Sequence, residues 1–178
     1  MPILENPRAA IFDLDGTIVD NMALHAEAFA VFAERHGLPP LTPADRAKLD
    51  GRRNSEIFPV LFGREMARVE WLAYETEKEG LYRELSRGRL KIVAGLQALL
   101  DRLAATGVAV ALATSAPAPN VTHTLGEVGL TPAFPIVVRG DQVGLEALQV
   151  LAQSGGDVVG VDRELGHVPC SPGAVRAS

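Results

Sequence analysis

The stretch RAAIFDLDGTIVD, residues 8–20, runs an apolar segment, Ala9 to Phe12, directly into two aspartates two positions apart, Asp13 and Asp15, and then into Gly16-Thr17. An unbroken apolar segment that stops at acidic residues has the pattern of a strand buried on both faces of a parallel sheet, with chemistry expected at its C-terminal end. Reading outward, NMALHAEAFAVFAERH (21–36) places Met22, Ala26, Phe29, Ala30 and Ala33 at helical intervals, and Gly37 with Pro39-Pro40 ends the run. Helical spacing resumes with Pro43 as a first-turn residue, breaks at Asp50-Gly51, and restarts at Asn54 or Ser55. It then continues through a charged stretch from Arg64 to Arg87, and nothing between Val19 and Leu90 has a strand pattern. An all-helical insertion of roughly 70 residues is the simplest reading.

Beyond the insertion, Leu96, Leu99, Leu100 and Leu103 stand at i, i+3, i+4 and i+7 ahead of Gly107, and Val108 to Thr114 forms a second apolar run. Strand, helix, strand is the repeating unit of a doubly wound sheet. A run at Ile136 to Val138, a short helix around Leu145 to Gln153, and Val158 to Val161 ending at Asp162 add two more strands. The expected fold is therefore α/β, with a core from residues 1–18 and 91–178 and a helical insertion over 19–90. Asp13, Thr114 and Asp162 each close a strand, and ligands of open parallel sheets bind beyond the carboxyl ends, so these three are expected at one site.

Composition narrows the function classes. With 47% hydrophobic and 22% charged residues, the 178-residue chain reads as globular, and no apolar run approaches the roughly 18 residues of a membrane helix. A formal net charge of -5 argues against a broad nucleic-acid face, although a small local anion site remains open. One cysteine, Cys170, excludes an internal disulfide framework, and the opening MPILENPRAA has no apolar run of signal-peptide length. The expectation is a cytoplasmic protein, monomeric by default, without nucleic-acid or membrane partners.

The string FDLDGTIVDNMALHAEAF (12–29) resembles the first signature of the haloacid dehalogenase-like hydrolases, in particular the β-phosphoglucomutase and small-phosphatase subgroup with a helical cap. That resemblance implies a Rossmann-like core with the helical insertion as its cap. It further implies Asp13 as nucleophile, Asp15 as acid/base, and Mg²⁺ held by the Asp13 carboxylate and the Asp15 backbone carbonyl. A carboxylate attacking a phosphate dianion needs a metal and N–H donors to offset repulsion, and Gly16-Thr17 would allow the close backbone approach of a phosphate-binding loop. An Asp-Gly turn with helix-capping aspartates is the bland alternative, and Asp20 reads as a cap for the following helix. ATSAPAPNVTHTL (113–125) extends the likeness and implies that Thr114-Ser115 contacts the phosphoryl oxygens.

Cap residues are read more openly. His25 stands where mutase-like relatives carry a histidine near the substrate, and a histidine on an ordinary helix face is the competing reading. In LDGRRNSEIF, Arg52, Arg53 and Asn54 would read the part of the substrate away from the phosphate, unless the loop is simply solvated. The run EWLAYETEKEGLYRELSR (70–87) is expected to be an ordinary helix whose charges face water.

The resemblance covers roughly residues 8 to 142, ending in VVRGDQV (137–143). Relatives continue with a Gly-Lys-Pro stretch, whereas no lysine follows Lys91 here, and Arg139 is the nearest cation that could serve the phosphate. In VVGVDRELG (158–166), Asp162 is expected as the further Mg²⁺ ligand, with Glu164 the weaker candidate. Divergence, an altered or truncated frame, and a deletion joining foreign sequence near Val143 all remain open. The leading expectation is a Mg²⁺-dependent phosphatase of a small phosphorylated metabolite, a sugar phosphate foremost. A phosphosugar mutase and a fold-retaining protein without efficient turnover are the alternatives.

Overall fold

The structure is a computed structural model that describes residues 8–42, 45, 52 and 54–139 in full, and 158–162 and 166–170 by their backbone. Two compact units emerge, one formed by the chain up to Asp20 and from Leu90 onward, the other by Asn21–Arg89. The first is α/β, a Rossmann-like sheet with flanking helices, and the described elements of the second are all helices.

Strand β1 (Ala9–Phe12) is central in a five-stranded sheet. It pairs in parallel with β2 (Ala109–Thr114) on one side and β4 (Val158–Asp162) on the other, while β3 (Ile136–Arg139) lies parallel along the outer side of β2. Ala9, Ala10 and Phe12 are buried, as an apolar segment flanked on both edges requires. A fifth strand, β5 (Gly166–Cys170), runs antiparallel to β4 and makes the sheet mixed, which the sequence reading did not anticipate. GHVPC has neither apolar alternation nor a β-branched run, and its Pro169 is tolerated because the strand is at the edge.

Helices α4 (Leu96–Ala105) and α5 (Ala118–Glu127) supply the leucine and valine faces of the core. Leu96, Leu100, Val121 and Leu125 pack with Phe12, Leu112, Leu130 and Phe134, and Phe12 meets Phe134 edge-on at 5.8 Å. Leu103 packs against this cluster, while Leu99 is the partly exposed member of the leucine stripe. Gly95, with φ 84°, turns the chain into α4 in a conformation that side chains disfavour. The expected helix over 145–153 lies outside the described residues.

In the helical unit, α1 (Met22–Arg35), α2 (Asn54–Phe62) and α3 (Arg68–Ser86) pack mainly as α1 and α2 against α3. The buried face of α1 is Leu24, Ala28, Phe29, Phe32 and Ala33, rotated from the expected stripe, with Met22 and Ala30 exposed. Phenylalanines decide the facing: Phe32 is fully buried among Phe58, Tyr74 and Phe62 at 5.3, 5.7 and 6.3 Å. The N-cap position of α1 is Asn21 rather than Asp20, and the Asn21 side chain makes no capping bond.

Candidate active site

The residues singled out as a candidate site of the sheet unit stand at the carboxyl ends of its parallel strands. Phe12 of β1 registers with Leu112 of β2 and Val161 of β4, so Asp13 and Asp162 are the next residues on adjacent strands. Thr114 registers with Arg139 at the ends of β2 and β3. Read across the sheet, strand ends carry Arg139, Thr114, Asp13 and Asp162 in that order, with neighbouring strands about 4.8 Å apart. The Asp162 side chain is outside the described atoms, as is Glu164.

Asp13 and Asp15 are half-buried where the chain leaves β1. A tight turn follows, in which the Leu14 carbonyl accepts from the amides of Ile18 and Val19 at 3.0 and 3.2 Å. Gly16 has φ 74° and donates its N–H to the Val19 carbonyl at 2.8 Å, so its backbone closes the turn. Thr17 differs: its Oγ1 is buried and has no hydrogen-bond partner among the described residues. A buried hydroxyl without a partner is costly, and a phosphoryl oxygen or ordered water would satisfy it. Thr114 is buried, and its Oγ1 accepts the Ala116 N–H at 3.1 Å, which leaves the hydroxyl hydrogen to donate elsewhere, while Ser115 is exposed.

Hard divalent cations take oxygen ligands, and Asp13 and Asp162 follow or close adjoining parallel strands, so their residue types are ones a cation of that kind accepts. Among the described residues, no cluster of three or more acidic, histidine or cysteine side chains that could hold a metal ion is assembled. The chemistry of the donor set and the unpartnered Thr17 hydroxyl fit a cation accompanied by a phosphoryl group.

The helical unit contains a buried polar network that the sequence reading missed. Lys78 and Glu79 were expected to face water, yet they are 3% and 5% exposed, and Lys78 Nζ donates to Glu79 Oε1 at 2.8 Å. The aromatic residues Trp71, Tyr74 and Tyr82 share a helical face with Lys78, and packing that face against α1 carries the ion pair inward. Lys78 Nζ also reaches His25 Nδ1 at 3.2 Å and sits 4.4 Å above the Phe29 ring. His25 stacks on Tyr82 with ring centroids 3.9 Å apart, and its Nε2 lies 3.4 Å from the Asn21 side-chain amide. That amide also meets the Tyr82 hydroxyl at 2.6 Å. Asn54 donates to Glu75 and Glu79, each at 3.0 Å. Burial pushes the Glu79 carboxyl up, but Lys78, His25 and Asn54 together hold it below its ordinary value. His25 and Asn54 are thus both joined to this network, Arg52 is exposed, and Arg53 lies outside the described residues. The signal that could have found the network is the spacing of Tyr74, Lys78, Leu81 and Tyr82 along one helical stripe.

A Rossmann-like sheet with acidic residues at the end of its central strand, interrupted directly afterwards by a helical unit, defines the class of protein. Within that class, the chain belongs to the haloacid dehalogenase-like hydrolases, whose family pattern matches residues 10–147. A phosphorylated carbohydrates phosphatase of Thermotoga maritima is 30% identical over 140 residues, covering 76% of this chain and 62% of its own length. A phosphoglycolate phosphatase of Xanthomonas campestris is 28% identical over 137 residues, covering 76% and 61%. The chain therefore spans about three-fifths of the length of these curated relatives. Among solved structures, a HAD hydrolase of family IA, variant 3, from Entamoeba histolytica has a TM-score of 0.76 at 23% identity, over 89% of this chain and 85% of that one. A putative beta-phosphoglucomutase from Thermotoga maritima has a TM-score of 0.64 at 25% identity, over 86% and 74%. Among the described residues, no helix is long and apolar enough to cross a membrane.

Proposed function

We propose that the chain is a Mg²⁺-dependent phosphoric monoester hydrolase acting on a small phosphorylated metabolite, with a sugar phosphate as the preferred class. The observation that carries this reading is the placement of Asp13 and Asp15 at the end of the central strand, with Asp162, Thr114 and Arg139 closing the strands beside it. Relatives named as phosphatases of phosphorylated carbohydrates and of phosphoglycolate support the same chemistry.

In this reading an Asp13 carboxylate oxygen attacks phosphorus, the bond to the leaving oxygen breaks, and the Asp15 carboxyl gives that oxygen its proton. Asp15, now a carboxylate, takes a proton from water as the water oxygen attacks the aspartyl-phosphate, releasing phosphate and restoring Asp13. Thr17, Thr114 and Ser115 would donate to the phosphoryl oxygens, Gly16 would shape the loop, and Arg139 would supply the positive charge for which relatives use a lysine. Mg²⁺, held by Asp13, the Asp15 carbonyl and Asp162, would lower the repulsion between carboxylate and phosphate. His25, Arg52, Arg53 and Asn54 would contribute to substrate recognition from the helical unit. The working form is a monomer acting in the cytoplasm on a small molecule, with neither nucleic acid nor membrane as partner.

The test is phosphate release from p-nitrophenyl phosphate with Mg²⁺. Wild-type protein is expected to turn it over and Asp13→Asn to lose at least about a thousandfold, since removal of a nucleophile leaves only binding and electrostatic terms. Equal rates for the two proteins would refute the assignment. One fact favours a second reading, a fold-retaining protein without efficient turnover: the segment after Arg139 reads GDQVGLEALQ (140–149), with no lysine where the resemblance implies a Gly-Lys-Pro stretch. Wild-type activity no greater than that of Asp13→Asn would favour it.

A further inference from the structure

A groove of about 380 Å³ opens at the amino ends of β2 and β3, the opposite end of the sheet from Asp13 and Thr114. Val108 and Val110, which flank the first residue of β2, line it on one side, and Pro132 and Pro135, just ahead of β3, line it on another. Leu100 and Ala104 face it from α4, where Ala104 presents only a methyl group and so leaves the space unfilled. The polar side chains of the lining are Gln97 and Asp101, one turn apart on the same helix. All of these residues belong to the sheet unit.

The polar corner carries charge of one sign. Gln97 Nε2 donates to Asp101 Oδ1 at 2.9 Å, which occupies one of the roughly four acceptor sites of that carboxylate. Among the described residues no cation pairs with Asp101. The chain as a whole has a formal net charge of -5, so the surrounding field also favours a cation over an anion.

We propose that this groove is a binding site for a small cation with a compact apolar body, an aliphatic primary amine being the simplest case. The valine, leucine and proline walls would take the body, and the open oxygen of Asp101 would accept from the ammonium. The volume falls in the range of about 300–1,000 Å³ usual for small-molecule pockets, whereas a stable protein partner needs about 800 Å² of surface on each side. An anion of the same shape would meet the Asp101 carboxylate with nothing to offset it. Val110 and Thr114 are four residues apart along β2, or about 13 Å, so a ligand here stands clear of the strand-end residues and the site is independent of the phosphatase reading.

The test is a titration of the isotope-labelled full chain at neutral pH and low salt, read by nuclear magnetic resonance on the backbone amides of residues 97–110. The probes are cyclohexylamine, cyclohexanol and cyclohexanecarboxylate, which share one body and differ in charge. Cyclohexylamine is expected to shift these amides saturably and to bind about fivefold more tightly than cyclohexanol, which is what an exposed ion pair supplies at its upper end. The carboxylate is expected to bind more weakly than either. Asp101→Asn is expected to abolish the advantage of the amine and leave the alcohol unchanged. Sodium chloride at about 1 M, where the Debye length is about 3 Å, is expected to do the same to the wild type. Ala104→Leu, which fills the groove from an exposed helix position, is expected to weaken amine and alcohol together. No saturable shift with millimolar cyclohexylamine overturns the proposal, as does equal binding of amine and alcohol to the wild type or an unchanged preference in Asp101→Asn. Shifts of these amides that follow protein concentration without any probe would show a second copy seated in the groove, and would overturn it as well.

Discussion

Replacing Lys78 with methionine isolates the energetics of the buried ion pair. Methionine keeps most of the aliphatic stem and its contact with Phe29, so the main loss is the ammonium. Glu79, 5% exposed, would then lose its ion-pair partner at 2.8 Å, and His25 Nδ1 would lose the Lys78 ammonium at 3.2 Å. Removing one partner of a buried pair costs about 3–5 kcal/mol, because the remaining charge is left uncompensated. Replacing both, as in Lys78→Met with Glu79→Leu, is expected to fall within about 1 kcal/mol of wild type, since apolar packing of similar volume substitutes well for a buried pair. Trp71, the only tryptophan, lies in α3, so its fluorescence during urea unfolding reports on the helical unit. The pH dependence gives a second reading. In the wild type the Glu79 carboxyl is held below its ordinary value, so its stabilisation is full above the ordinary carboxylate range and is lost as pH falls through the lowered native value. Without Lys78, whose attraction and hydrogen bond are the main influences that lower this carboxyl, the variant should lose less stability on acidification than wild type does. A single variant within about 1 kcal/mol of wild type, or one with the wild-type acid profile, would refute the reasoning.

Phe32→Ala removes the ring at the centre of the aromatic cluster and is expected to cost about 3–5 kcal/mol in the same urea experiment. Thr114→Val keeps the shape but strips the acceptor from the buried Ala116 N–H; a loss of about 1–3 kcal/mol is expected in calorimetric melting, with a raised KM for any hydrolysed phosphate monoester.

How far the sequence could be read follows from what its segments must do locally. Ala9–Phe12 has to be buried on both sides, so its composition announces a central strand, and Asp13 at its end announces the site. Leu96, Leu100 and Leu103 likewise declare the inner face of α4 without any knowledge of its neighbours. Gly166–Cys170 could not be read, because an edge strand needs only a partner's free hydrogen-bonding edge and imposes little on its own side chains. Lys78 and Glu79 were misread for a related reason: two adjacent opposite charges look solvated until a partner helix supplies Phe29 and His25 as walls. In α1 the periodicity was legible but its facing was not, since alanines fit either side and only the distant Phe58, Phe62 and Tyr74 choose Phe32 as the inward residue.

The chain leaves the sheet unit at Asp20 and returns at Leu90, and the two crossing segments are tied to each other. The Asp20 N–H donates to the Lys91 carbonyl at 3.0 Å, the Val93 N–H donates to the Ile18 carbonyl at 2.9 Å, and Val19 bridges Ile92 in antiparallel fashion. For the backbone of the sheet unit, everything between is the loop of a hairpin. Loop closure depends only logarithmically on length, so a 69-residue excursion (Asn21–Arg89) in place of a four-residue turn is about four doublings, or about 2.4 kcal/mol. The sheet can therefore exchange one helical excursion for another of different length or composition at small cost to its own folding, which makes this doorway the natural place for such proteins to diverge and for grafted recognition modules to be installed.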